Sequence, residues 1–280
     1  PLPALVFTTD RDGDEDVVLR LRDGSLRTLT HNRARDSAPV WSPDGRRIAF
    51  VSDRDGDEDV YVMRADGSGV RKLTHDAGAP AADMVPAWSP DGSRIAFVST
   101  RSGGPEIWVM RADGGRPQQL TDNEPFTVDT TPSWSPDGRR IAFASSRAGN
   151  ETVDVYVMRA DGTRVRPVTP TRDTADSTLP EWSPDGRLIA FSTNVTRGQQ
   201  DIWVVDPSTG HRRLLAGHPR YDDVQARWTA GGARLVFWTF DYFTPEKQRS
   251  ADLWTVYADG SGRRLVLGSP AQESGPDPRP

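Results

Sequence analysis

The chain has 280 residues, with 35 Lys and Arg against 40 Asp and Glu for a formal charge of −5, and no cysteine. Disulfides and thiolate metal sites are excluded, and the acidic balance argues against nucleic acid as a partner. No run of 18 apolar residues occurs, and Pro1 to Pro3 carry no basic-then-apolar leader pattern, so no direct membrane insertion is expected.

The chain opens on an apolar stretch around Phe7, followed by the heptapeptide DRDGDED at 10–16 and by DVVLRLRDGSLRTLT at 16–30. The segment PVWSPDGRRIAFVSDRDGDEDVYVMRADGSGVRKLT at 39–74 repeats this and adds a Trp-bearing start. Its letters predict four short strands, PVW, RIAFVS, DVYVM and RKLT, each rich in β-branched or aromatic residues and bounded by turn chemistry. Ser42-Pro43-Asp44-Gly45 suits a type I turn, because Pro presets φ at its second position and Gly ends it. Asp66-Gly67 turns the third strand into the fourth.

Further copies follow at Trp88, Trp134, Trp182 and Trp228, and nine residues after each Trp stands a Phe: Phe50, Phe97, Phe143, Phe191 and Phe237. Four antiparallel strands repeated every 46 to 48 residues predict an all-β, six-bladed β-propeller. One domain is expected over 1–280, with copies at about 4–40, 41–87, 88–133, 134–181, 182–227 and 228–267. The tail, 268–280, either helps to close the ring or stays a flexible Pro-rich end. Asp277 and Pro280 keep the separation of Asp36 and Pro39, so closure would seat Pro280 where Pro39 sits.

The string WSPDGRRIAFVSDRDG…VYVMRADG…LT, present in five near-complete copies over about 4–267, resembles the TolB-like six-bladed β-propeller family. The resemblance implies a non-catalytic interaction module that binds protein segments at the cell envelope, in a periplasmic or secreted location, as a monomer. TolB itself carries an additional N-terminal α/β domain, which nothing in this sequence supplies. Relatives fused to α/β-hydrolase domains leave an alternative, an accessory or catalytic propeller of a hydrolase-type enzyme acting on peptides or carbohydrate. The residues offer little to an enzyme reading. No G-x-S-x-G occurs, the four histidines form no metal pair, and no cofactor is called for.

DRDGDED admits two readings. Several carboxylates around a glycine could wrap calcium. In later copies only the last acid survives, as Asp16, Asp59, Glu106, Asp154, Asp201 and Asp252, beside Arg11, Arg54, Arg101 and Arg147, so a metal-free hairpin closed by an Arg-to-acid pair is also expected.

Strand alternation puts the first-to-second and third-to-fourth turns on one face, where lengths barely vary. On the other, the span from the Phe to the third strand runs 11, 11, 11, 13, 12 and 17 residues. Binding residues favour variable loops on a rigid frame, so that face is the expected partner site. Asp36, Asp83, Asp129 and Asp223 stand five residues before a Trp, with Asp176 six before. With Asp277 they either cap their own loops or ring one channel mouth, which would attract a cation or a basic peptide segment. Phe240, Tyr242 and Phe243, in the long connection 238–254, either anchor a partner or cover the edge of the last blade.

Overall fold

A computed structural model describes residues 3–11, 13–75, 81–149, 152–170, 175–195, 199–240, 251–268 and 273–280. They form six four-stranded antiparallel sheets, and no helix occurs among them. Blade 2 shows the unit: β4 (Asp36–Trp41) is innermost, followed outward by β5 (Arg47–Ser52), β6 (Asp59–Arg64) and the short β7 (Arg71–Lys72). Blades 3 to 6 repeat it from Asp83, Asp129, Ser177 and Asp222.

Blade 1 is composite. Its outer strands β1 (Leu5–Thr9), β2 (Asp16–Arg20) and β3 (Leu26–Thr28) come from the start of the chain, and β24 (Glu273–Pro278) supplies the innermost one. β24 pairs antiparallel with β1, Val6 opposite Asp277, and so closes the ring without leaving β1 as an unpaired edge. Its register differs from the sequence expectation by four residues. Gly275-Pro276-Asp277-Pro278 occupies the places of Ala38-Pro39-Val40-Trp41, so Pro276 rather than Pro280 matches Pro39.

The core lies between blades. Phe7, Phe50, Phe97, Phe143, Phe191 and Phe237 are all essentially inaccessible to solvent, each packed against its neighbouring blade. The tryptophans end the innermost strands, and a preceding blade's guanidinium covers most of them: Arg47 over Trp88 at 4.6 Å, Arg94 over Trp134 at 4.6 Å, Arg140 over Trp182 at 4.5 Å. Arg279 covers Trp41 at 5.1 Å, extending the series across the closure.

Each innermost strand carries a bulge. Ala38, Val85, Thr131, Leu179 and Gln225 adopt φ between 49° and 54°, left-handed backbone that disfavours side chains, and Gly275 takes the sixth place at 66°. The bulges turn Val85, Thr131, Leu179 and Gln225 into the central channel.

Candidate functional site

Asp36, Asp83, Asp129 and Asp223 open or nearly open their innermost strands, and their backbone N–H groups donate to the preceding blade: Glu15 O (2.7 Å), Glu58 O (2.7 Å), Pro105 O (2.9 Å) and Gln200 O (2.8 Å). Their side chains are completely buried. Each receives a guanidinium: Arg54 Nη2 donates to Asp36 at 2.9 Å, Arg101 to Asp83, Arg147 to Asp129, and Arg263 doubly to Asp223 at 2.5 and 2.9 Å. Burial raises the Asp223 carboxyl to about 6, against the opposing pull of Arg263. These carboxylates therefore sit inside the protein, each with a counter-charge, and not as free negative charge around the mouth.

The pairing also corrects the expected partner of the loop arginines. Arg54, Arg101 and Arg147 reach the acid of their own innermost strand, not the acid opening the third strand. The latter is held by the threonine of the recurring Leu-Thr, Val-Thr in blade 4: Thr30 to Asp16 at 2.8 Å, Thr74 to Asp59 at 2.8 Å, Thr121 to Glu106 at 2.5 Å and Thr169 to Asp154 at 3.0 Å. The same hydroxyls accept the N–H of the following strand residue, as Thr74 does from Val60 at 3.0 Å, which welds the fourth strand to the third.

Asp176 is not one of the buried four. Half-buried, it accepts the Val153 N–H at 2.9 Å, as Asp222 accepts that of Gln200 at 2.9 Å, and tethers a loop. Ser177 takes the buried position instead, and Val195 stands where Arg54 stands in blade 2, so the acid and its guanidinium are missing together.

Asp277 lines the channel. It occupies the place of Val40, Ala87, Ser133, Glu181 and Arg227 in the other blades, so half of that ring is small or apolar and half is charged. Arg227 Nη1 donates to Glu181 at 2.6 Å, Ser133 Oγ donates to Glu181 at 3.1 Å, and Asp277 accepts the Trp41 N–H at 2.6 Å. Burial raises the Asp277 carboxyl to about 7, with Glu181 adding to the rise and Arg227 and the Trp41 N–H opposing it. A recess of about 150 Å³ opens here at the short-turn end of the channel.

Phe240 is half-buried, stacks on Trp238 at 6.4 Å and packs with Leu5 and Phe7, covering the joint between the last and first blades. Tyr242 and Phe243 lie outside the described residues. In the second heptapeptide the carboxylates of Asp55, Asp57 and Asp59 converge within 4.8 Å, and the chain supplies a cation to them. Lys72 Nζ lies 2.7 Å from Asp55 and also contacts Asp59, while Tyr61 OH donates to Asp55 at 2.8 Å.

The most exposed aromatic described is one that the sequence reading passed over. Phe126 is 102% exposed, at φ 73°, in the long-loop connection leading to blade 4. Asn123 fixes that loop: its N–H and side-chain amide donate to Glu106 at 3.0 and 2.8 Å, and the amide donates also to Asp129 at 2.7 Å. Glu181 and Arg227 were likewise missed. Their signal was PEW and ARW where earlier copies read PVW, PAW and PSW.

The sequence profile of the TolB beta propeller domain matches residues 3–82 and 75–276. No curated protein sequence matches. Among solved structures, TolB from Acinetobacter baumannii superposes with a TM-score of 0.80 at 22% identity, covering 99% of this chain and 67% of that one. The putative TolB from Agrobacterium tumefaciens gives 0.76 at 21%, covering 98% of each. An oligogalacturonate lyase from Vibrio parahaemolyticus gives 0.64 at 14%, covering 95% of this chain and 74% of that one. Identities this low speak for the fold alone, which hosts both TolB and an enzyme. With its profile matched along nearly its whole length, this chain belongs to the TolB β-propeller family.

Proposed function

We propose that this propeller is a non-catalytic scaffold that binds a protein or a basic peptide segment on its long-loop face, in the periplasm or outside the cell. The observation that carries the reading is Phe126, a bare aromatic ring on strained backbone that Asn123 holds in place. An exposed Phe at positive φ costs stability and gains no packing within the chain, whereas aromatic anchors dominate many interfaces. The preference for a basic segment rests on the acidic composition of the connections that carry DRDGDED in blades 1 and 2, on the same face, where Lys72 offsets part of the charge of the second. A photo-crosslinking residue at Phe126 should capture one discrete partner from cell-envelope extract, and Phe126→Asn should lose that partner in pull-downs while keeping the fold. The same residue at Ser93, on the short-turn face, serves as the control. A partner captured from Ser93 and not from Phe126, or one bound equally by Phe126→Asn, overturns the reading.

A further inference from the structure

On the short-turn face, where blade 6 meets blade 1, four arginines line one recess of about 270 Å³: Arg20 at the end of β2, Arg22 in the turn after it, and Arg234 and Arg264 at the starts of two strands of blade 6. Thr255 and Leu265 contribute to its wall, and no carboxylate does. Among the described residues, none of the four is ion-paired. Arg234 lies over the Tyr257 ring at 3.6 Å, and Arg20 Nη1 donates to the Leu21 carbonyl at 3.4 Å. The acid of the same turn, Asp23, is committed to Ser25, accepting its N–H at 2.9 Å and its hydroxyl at 2.7 Å.

The larger recess on this face, about 600 Å³ at blade 4, also has four arginines, but Asp137 and Asp161 stand in its wall. No carboxylate stands in the wall of the seam recess; Asp23, in the adjoining turn, shares the field of Arg20 while its hydrogen bonds go to Ser25. Converging guanidiniums repel one another, and their planar forks match tetrahedral oxyanions in paired hydrogen bonds. The volume suits a phosphate or two and is at the small end for a ligand site.

We propose that the recess formed by Arg20, Arg22, Arg234 and Arg264 binds a phosphate group, bridging the last blade to the first. Two of its arginines come from each blade, so an occupant braces the joint that β24 closes, independently of the long-loop face. A ligand bound only by the folded state raises the melting temperature in proportion to the logarithm of its concentration. Inorganic pyrophosphate at constant ionic strength should therefore raise the melting temperature, by about 5 °C at a hundredfold excess over its dissociation constant and further with each added decade.

Arg22→Ala with Arg264→Ala, both at exposed positions, should abolish the shift, and Arg139→Ala with Arg159→Ala at the other recess should retain it. Vesicles containing phosphatidic acid distinguish the source. Co-sedimentation lost in the Arg22/Arg264 variant means that a lipid carries the phosphate, whereas a pyrophosphate response alone means a soluble donor. A pyrophosphate shift no larger than that of chloride, with no vesicle binding, overturns the proposal, as does a shift unchanged in the Arg22/Arg264 variant.

Discussion

The carboxylate of Asp277 accepts the backbone N–H of Trp41 at 2.6 Å across 236 residues of sequence. This single bond joins the strand that ends the ring to the strand that begins the first complete repeat. The carboxylate that makes it is held at about 7 by its enclosure in the channel wall, well above the 3.8 of a free aspartate.

That difference sets a pH dependence. The folded protein holds the Asp277 proton more tightly than the unfolded chain does, so the stability tied to it is present below about pH 4 and is lost as pH rises through about 7. Asp277→Asn cannot titrate. Its melting temperature should match that of the parent at pH 4 and exceed it at pH 8, read from thermal melts across the range. Asp223, raised to about 6, should leave a residual slope of the same sign in the variant.

Removing residues 273–280 leaves β1 as an open edge and uncovers Leu5, Val6 and Phe7, all fully buried in the intact ring. The melting temperature should fall by more than ~5 °C and aggregation should increase. Calorimetry and light scattering check both, and an unchanged melt would mean that β24 adds nothing to closure.

Arg54→Val leaves Asp36 buried and charged without its counter-ion, and should cost about 3 kcal/mol. Adding Asp36→Ser installs in blade 2 the residues that blade 5 already uses, Ser177 and Val195. The double variant should be more stable than Arg54→Val alone in urea unfolding; an additive loss would argue that the two side chains do not act as a pair.

Lys72 fills the space between Asp55 and Asp59 with an ammonium. Thermal melts of the parent should not respond to millimolar calcium through this loop. Lys72→Gln should melt lower and recover with calcium, because Asp55 and Asp59 then lack their internal cation in a cluster of three converging carboxylates. A calcium response in the parent that Asp55→Asn abolishes would show that the ammonium is displaceable.

Blade number, strand order and the core Phe and Trp positions were legible in the letters because they rest on local rules. Alternation puts every second residue on one face, and Pro-Asp-Gly and Asp-Gly specify turns within a few residues, so a 46-to-48-residue period repeats one solution. Partner choice is not local in that sense. The guanidinium of Arg54 could have met Asp59 five residues ahead, and reaches Asp36 eighteen residues back, because the strand pairing brings that carboxylate under it and Thr74 has already engaged Asp59. Likewise the spacing of Asp277 and Pro280 suggested one register for the last strand, while the bulge geometry that Gly275 relieves selected another, four residues away. The meeting of four arginines from the two ends of the chain was decided only when the ring closed, since closure alone makes the last blade the neighbour of the first, and the exposure of Phe126 was decided by contacts of Asn123 with Glu106 and Asp129 across two adjacent blades.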